Sequence, residues 1–287
     1  MAAGAFFFAV MSVFVKLAGE TIPTMEVVLA RSLVVLAICW VMLRREGVSA
    51  WSRRRPLLLL RGGLGFVALT SFYYGVIHLP LADATVIQYT NPVFTAVLAA
   101  LLIGEGLRRR EVALTLVSLG GVVVMVRPAF LFGEGVSALP VVPAAVALTG
   151  AVFSAAAYVT VRFLGRDEHP LVIVYWFALI STVASAPFVI PRFVMPTGWE
   201  WGMLLAVGVS THLGQLFLTM GLREERAGRA MAVAYLQIVF AALWGLAVFA
   251  EVPDRWTLAG AAVIVGATWL VARSGGRPAA PPSPAAS

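Results

Sequence analysis

Ten blocks of apolar residues, each about 15 to 22 residues long, alternate with short polar segments along this chain of 287 residues. A helix needs about 20 apolar residues to cross the hydrocarbon core of a bilayer, and the strict polar and apolar alternation of a membrane β-barrel is absent. The chain is 61% hydrophobic and only 12% charged, which excludes an ordinary soluble domain. We predict an all-α membrane protein with ten transmembrane helices, at residues 2–18, 26–43, 57–79, 83–103, 112–126, 138–160, 171–190, 200–221, 229–250 and 256–272.

The basic residues follow this predicted topology. The chain has 21 lysines and arginines against 14 acidic residues, a formal net charge of +7. Fifteen basic residues lie after the second, fourth, sixth and eighth blocks and in the C-terminal tail: Arg44, Arg45, Arg53, Arg54, Arg55, Arg108, Arg109, Arg110, Arg162, Arg166, Arg223, Arg226, Arg229, Arg273 and Arg277. By the positive-inside rule, the N and C termini are both cytoplasmic. A nucleic-acid binder would concentrate its charge on one folded face, so we predict no nucleic-acid partner.

The sequence also repeats itself at a constant offset of 146 residues. Gly4, Phe7 and Gly19 fall on Gly150, Phe153 and Gly165, and Tyr89, Phe94, Glu105 and Gly120 fall on Tyr235, Phe240, Glu251 and Gly266. Each half contains five predicted spans, an odd number, so the second half must enter the membrane from the opposite side. We predict two inverted five-helix repeats, at residues 1–130 and 138–273, followed by a disordered cytoplasmic tail at residues 274–287.

Three segments carry a resemblance to a known family: VFVKLAGETIP in the first span, FYYGVIHLPLADATVIQYTNPVFTAVLAALLIGEGL, and its second-half counterpart AMAVAYLQIVFAALWGLAVFAEVPDRWTLAGAAVIVGATWLV. With them, residues 4–272 resemble the EamA-type members of the drug/metabolite transporter superfamily, ten-helix proteins made of two five-helix repeats. Within that group the chain is most similar to the bacterial YddG-type exporters of aromatic amino acids. The resemblance implies export of small metabolites across a bacterial inner membrane.

Polar side chains inside the predicted spans are the candidates for a substrate site, because polar groups are costly in lipid and tend to face the interior of a helix bundle. Spacings of three and four residues place several of them on common helix faces. The predicted substrate-binding residues are Ser12, Tyr74, His78, Gln88, Tyr89, Asn91, Ser154, Tyr158, His212, Gln215, Tyr235 and Gln237. For any one of them, a structural hydrogen bond to a neighbouring helix is the competing explanation.

Pro92 lies in the middle of the predicted fourth span, where a proline removes a backbone hydrogen bond and kinks the helix. We therefore predict that Pro92 is a hinge. Its repeat partner is Ile238, which predicts that the two halves are not mechanically identical. Lys16, at the end of the first span, either snorkels toward the lipid phosphates or supplies a vestibule charge that attracts a carboxylate.

The predicted spans have no carboxylate in their middle, which weighs against proton-coupled export of cationic drugs. The polar but uncharged lining instead favours uncharged or zwitterionic substrates, most simply aromatic or other large neutral amino acids. Transport would then be facilitated efflux or would be coupled weakly to protons through His78 or His212. A multidrug exporter of amphipathic compounds is the alternative within the same class.

Other functional classes find little support in the residues. An intramembrane enzyme would need a catalytic motif such as HExxH or GxSxG, and neither is present. Cys39 is the single cysteine and the three histidines are scattered, so we predict no metal site and no cofactor. The predicted partners are therefore a small-molecule substrate and the lipid bilayer, and the sequence is compatible with a monomer.

Overall fold

A computed structural model describes residues 1–19, 21–79, 81–106, 108–132, 140–250 and 252–273. Every regular element in these ranges is helical, and no strand occurs among them. The thirteen α-helices are α1 (Ala2–Ala18), α2 (Thr24–Glu46), α3 (Arg55–His78), α4 (Leu81–Gln88), α5 (Asn91–Ile103), α6 (Arg109–Val126), α7 (Ala129–Phe132), α8 (Val141–Leu164), α9 (Pro170–Val189), α10 (Gly198–Glu224), α11 (Ala227–Ala234), α12 (Leu236–Phe249) and α13 (Arg255–Arg273). A 3₁₀ turn, Ile190–Arg192, extends α9, and the tail predicted at residues 274–287 lies outside the described residues.

Eight helical stretches in the described part of the chain are long and apolar enough to cross a membrane: Thr24–Glu46, Arg55–Gly75, Ala84–Ile103, Val141–Leu164, Pro170–Arg192, Gly198–Glu224, Ala227–Phe249 and Arg255–Arg273. Helix α1 is apolar but has only 17 residues, and α6 begins with three charged residues. The predicted all-helical membrane architecture is confirmed. The count of ten spans and the inverted orientation of the second half remain predictions.

Two of these stretches are interrupted helices. The first consists of α4 and α5, which are separated by Tyr89 and Thr90, and the second consists of α11 and α12, which are separated by Tyr235 alone. Tyr89 and Tyr235 are partners in the 146-residue repeat, so both copies of the repeat break a helix at the same position. Breaks of this kind free backbone groups that a continuous helix would use internally.

The position of Pro92 corrects the prediction of a mid-helix kink. Pro92 is the second residue of α5, in the first helical turn, where a proline is tolerated because the backbone N–H there has no partner within the helix. Its repeat partner Ile238 also lies in the first turn of a helix, α12, although it is not a proline. Both halves therefore contain a helix break, although only the first half has a proline beside it.

The long helices pack in pairs that are preserved when the two copies of the repeat are exchanged. The repeat relates α1 to α8 and α3 to α10, and α1 packs against α10 while α8 packs against α3. The other two long pairs join repeat partners directly, α2 with α9 and α6 with α13. Repeat-related glycines permit two of these contacts. A Cβ atom on Gly150 would lie 2.6 Å from the Ser71 Cβ, and one on Gly4 would lie 3.2 Å from the Gly214 carbonyl oxygen. The main apolar core lies among α2, α8, α9 and α10.

Candidate functional site

The two helix breaks meet each other. The Tyr235 hydroxyl donates a hydrogen bond to the Tyr89 carbonyl oxygen at 2.9 Å, and the two rings stack with centroids 5.9 Å apart. In a continuous helix that carbonyl would accept from the Val93 N–H, but Val93 bonds instead to the carbonyl of Thr90. Tyr235 is fully buried, so the freed carbonyl acquires a partner from the other copy of the repeat. We call this contact the tyrosine crossing.

A cavity of about 200 Å³ lies beside the tyrosine crossing, and we call it the central cavity. It is lined by Met1, Ala5, Phe8, Phe72, Gln88, Tyr89, Asn91, Pro92, Tyr158, Gln215, Leu218, Met231, Ala234 and Gln237. The side-chain oxygens Oε1 of Gln88 and Oδ1 of Asn91 are buried without a hydrogen-bond partner in the protein. Aromatic walls with a few unpaired amide groups are the usual composition of a small-molecule site.

A second cavity, of about 110 Å³, adjoins the first, and we call it the arginine cavity. It is lined by Arg31, Arg61, Gly65, Ala68, Leu69, Phe72, Gln88, Ser154, Ala157, Tyr158, Phe177 and Gln215. Phe72, Gln88, Tyr158 and Gln215 line both cavities, so the two spaces share a wall. Together they extend the site from the tyrosine crossing into the space between α2, α3, α8, α9 and α10.

Two buried arginines set the electrostatics of this site. Arg61 is 2% exposed and Arg31 is 6% exposed, and an arginine keeps its positive charge in a protein. Arg61 Nη2 lies 3.4 Å from Gln215 Oε1, its guanidinium lies 4.3 Å from the Phe177 ring centroid, and its Nε has no partner. Among the described residues that line either cavity, none is an aspartate or a glutamate. The prediction of a polar but uncharged lining is therefore wrong.

The predicted binding residues separate into two groups. The first group contributes to the site: Gln88, Tyr89, Asn91, Pro92, Tyr158, Gln215 and Gln237 line the central cavity, Ser154 lines the arginine cavity, and Tyr235 completes the tyrosine crossing. The other predicted residues lie elsewhere and are described next.

Ser12, Tyr74, His78 and His212 are absent from both cavity linings. The Ser12 hydroxyl bonds to the Phe8 carbonyl of its own helix at 2.9 Å. Tyr74 and His78 are exposed and stack on each other with ring centroids 4.0 Å apart, and His212 is buried with its Nδ1 3.5 Å from the Cys39 Sγ. For these four residues the structural explanation fits better than a role in binding.

Lys16 lies outside both cavities as well, with its Nζ 4.1 Å from the Phe249 ring centroid. A further open cavity of about 580 Å³ lies where the start of α2 meets the ends of α3 and α9, and Tyr74 lines it. It is the largest of the cavities described, but its lining is mainly apolar and it does not include either tyrosine of the crossing. We therefore take the central and arginine cavities as the candidate site.

Sequence reasoning missed Arg61 and the apolar lining residues Phe8, Phe72 and Met231. A signal for Arg61 was present, because it lies within the predicted third span and an arginine inside a span marks a functional site by default. Arg31 lines the same cavity, and two acidic residues, Glu20 and Glu26, lie near it in the sequence. Glu26 accepts the Val194 backbone N–H, and Glu20 lies outside the described residues.

Ion pairs join several helix ends on the side that the charge pattern predicts to be cytoplasmic. Glu105 accepts hydrogen bonds from Arg162 Nε at 2.6 Å and from the Ala227 N–H at 2.8 Å. Arg162 also donates to the carbonyl oxygens of Leu222 and Arg223, and Arg226 lies 3.4 Å from Glu111. This cluster ties the ends of α5, α8 and α10 to the start of α11.

Interrupted helices around a polar cavity are typical of membrane transporters, and that is the class of protein that the fold and the site indicate. The chain belongs to the EamA-like transporter family, which matches residues 1–127 and 142–273. It is 37% identical to the pseudopaline exporter CntI of Pseudomonas aeruginosa over 270 residues, which cover 94% of this chain and 93% of the exporter.

More distant proteins agree with this class. Human solute carrier family 35 member G1 is 30% identical over 91% of this chain and 74% of its own length, and the S-adenosylmethionine uptake transporter of Rickettsia felis is 28% identical over 79% and 75%. A crystal structure with 23% sequence identity superposes with a TM-score of 0.79 over 96% of this chain and 99% of that chain, which shows a shared fold. None of the three named relatives is a YddG-type exporter, so that narrower resemblance stays a prediction.

Proposed function

We propose that this protein exports small metabolites by alternating access, with the central cavity as the substrate site. The observation that carries the proposal is the tyrosine crossing, where two repeat-related helix breaks meet beside a cavity with unpaired amide groups. Secondary transporters place their substrate sites at such discontinuous helices, at the interface between repeats. Export rather than uptake is supported by the 37% identity to a protein named as an exporter.

The mechanism requires two halves of opposite orientation, which exchange their conformations during transport. Three observations support this arrangement: the 146-residue repeat with five predicted spans per copy, the helix pairs that survive exchange of the copies, and the two matches to the family. The halves would then be residues 1–130 and 138–273. Opening toward the cytoplasm would separate the ends held together by Glu105 and Arg162.

Aromatic and other large neutral amino acids are the substrates we propose first. Phe72, Tyr89 and Tyr158 offer flat apolar surfaces, while the free oxygens of Gln88 and Asn91 can accept hydrogen bonds from an ammonium group. The named substrates of the relatives, pseudopaline and S-adenosylmethionine, are also small metabolites. A bacterial inner membrane is the proposed location, since the predicted positive-inside pattern and the Pseudomonas relative both suit it.

Counterflow in proteoliposomes tests the proposal. Vesicles loaded with unlabelled L-phenylalanine or L-tryptophan should accumulate the labelled amino acid faster than vesicles without protein, at pH 6 and pH 8 alike if transport is facilitated. The variant Asn91→Leu should slow this exchange, because it removes an unpaired oxygen from the central cavity. Thr182→Val is the matched control, since that hydroxyl bonds only within α9. Equal rates in vesicles with and without protein would defeat the proposed substrates.

A further inference from the structure

Arg61 is the most deeply buried basic residue in the described part of the chain, and the transport proposal leaves its charge without a role. We propose that Arg61 binds a carboxylate group of the transported molecule, so that the substrates are small organic carboxylates. This inference rests on the proposed function, which it makes more specific. It concerns the arginine cavity, whereas the amino-acid proposal rests on the central cavity.

The first argument is charge balance. Two guanidinium groups, those of Arg31 and Arg61, line the same cavity of about 110 Å³, and neither forms an ion pair with a described residue. Taking a charge out of water is costly unless an opposite charge compensates for it. Since no described residue in either lining carries a carboxylate, a carboxylate of the ligand would supply the compensating charge.

The second argument is that the site is built around the guanidinium. The ring of Phe177 covers the Arg61 guanidinium at 4.3 Å, and a Cβ atom on Gly65 would lie 2.5 Å from Arg61 Nη1. The absence of a side chain at position 65 is therefore what makes room for Arg61 in this orientation. Its Nε has no partner and its contact with Gln215 is long, at 3.4 Å, so it retains hydrogen-bonding capacity for a ligand.

The third argument concerns which anion fits. A guanidinium presents a planar fork of N–H donors that matches the two oxygens of a carboxylate. Ser154 and Tyr158 add hydroxyl groups to the same lining, and Phe72 and Tyr158 continue into the central cavity, where they can contact the organic part of the molecule. Because Arg31 provides a second cation, molecules with two carboxylates should bind better than molecules with one.

The stability of the ligand-free protein distinguishes a structural role for Arg61 from a role in ligand binding. If Arg61 holds the helices together, its removal must destabilise the fold. If it is an uncompensated cation that waits for an anion, Arg61→Met should leave the melting temperature of the ligand-free protein unchanged or raise it. Arg45→Met is the matched control, since Arg45 is exposed near the end of α2. A lower melting temperature for Arg61→Met than for Arg45→Met would overturn the inference.

The ligand test uses four probes that share a phenyl ring: phenylsuccinate, L-phenylalanine, L-phenylalaninamide and phenyl phosphate. Thermal stabilisation of the purified protein should be largest with phenylsuccinate, smaller with phenylalanine and absent with the amide. Arg61→Met should weaken the apparent affinity for phenylsuccinate about tenfold or more, the usual effect of losing a charged hydrogen bond, while Arg45→Met should not. Larger stabilisation by phenyl phosphate than by phenylsuccinate would overturn the assignment to carboxylates.

Counterflow with the same probes separates this inference from the function on which it rests. If phenylalanine and its amide are exchanged equally well, and Arg61→Met changes neither rate, the proposed transport is supported and the proposed carboxylate site is overturned. If none of the probes is exchanged but phenylsuccinate still stabilises the wild type and not Arg61→Met, the carboxylate site is supported. The proposed transport of these compounds is then overturned. Absence of stabilisation by phenylsuccinate overturns the carboxylate site in either case.

Discussion

The two copies of the repeat interrupt a helix at the same position but use the interruption differently. In the first copy the gap spans Tyr89 and Thr90, and Pro92 follows it. The adjacent Gln88 and Asn91 line the central cavity, and their side-chain oxygens have no hydrogen-bond partner in the protein. In the second copy the gap is Tyr235 alone, which is fully buried and bonds to the first gap. The first break therefore carries the proposed binding groups, and the second supplies a hydrogen bond that supports the first.

This contrast also shows that a break does not require a proline, because the second copy has none at that position. What the copies share is a tyrosine, and the hydroxyl of one compensates for the carbonyl that is freed beside the other. An unpaired carbonyl in a protein interior costs about 1 to 3 kcal/mol, so the crossing stabilises an otherwise unfavourable backbone. A break without such a partner would tend to close into a continuous helix.

The largest effect is expected from the tyrosine pair. Tyr235→Phe should lower the free energy of unfolding by about 1 to 3 kcal/mol, because it leaves the Tyr89 carbonyl unpaired. Tyr89→Phe removes a hydroxyl that takes no part in that bond and should cost less than about 1 kcal/mol. Thermal unfolding in detergent of both variants measures the difference. Equal losses of unfolding free energy in the two variants would contradict a special role for the Tyr235 hydroxyl.

A smaller effect is expected from the repeat-related glycines. Gly150→Ala should cost about 1 to 2 kcal/mol, since the new Cβ would lie 2.6 Å from the Ser71 Cβ and α3 must move. Gly4→Ala should cost less than about 1 kcal/mol, because its closest approach, to the Gly214 carbonyl, is 3.2 Å. The same unfolding assay ranks the two. The reverse order would show that the helix pair α1 and α10 is the tighter one.

The smallest effect on stability is expected at Pro92. Pro92→Ala should change the free energy of unfolding by less than about 1 kcal/mol, because the residue lies in the first turn of α5 and replaces no hydrogen bond within it. If Pro92 is the predicted hinge, the same variant slows counterflow while the protein still inserts and folds. A wild-type exchange rate would remove Pro92 from the mechanism and leave the tyrosines as the shared element of both breaks.

The all-helical membrane class was predictable from the sequence, since the length of an apolar block is the main determinant of a membrane helix. The count of ten spans and the inverted second half stay predictions. The site was predictable where the repeat pointed to it: Tyr89 and Tyr235 match across the repeat and meet in the structure. The break within residues 229–250 was not predictable from composition, because Tyr235 lies in a continuous apolar run with no glycine or proline at that point. Its cause is the contact with the other copy, which the sequence alone does not show.

The face of α3 that lines the candidate site also differs from the face predicted from residue spacing. Tyr74 and His78 share a face by spacing, but that face lies away from the site, which α3 lines instead with Arg61, Gly65 and Phe72. In a soluble protein the apolar face of a helix points inward, whereas lipid and the bundle interior are both apolar, so periodicity does not identify the inner face of a membrane helix. An arginine within a span was the better guide.

The central claim, that substrate occupies the central cavity and reaches it from both sides in turn, is tested most directly by thiol accessibility. In a Cys39→Ala background, Gln237→Cys places a thiol in the lining of the central cavity, and Trp51→Cys places a control thiol on an exposed loop. A water-soluble thiol reagent should modify position 237 from either side of the membrane, and a transported substrate should slow that reaction but not the reaction at position 51. Modification at position 237 from one side only, or at a rate that substrate does not change, would contradict the account.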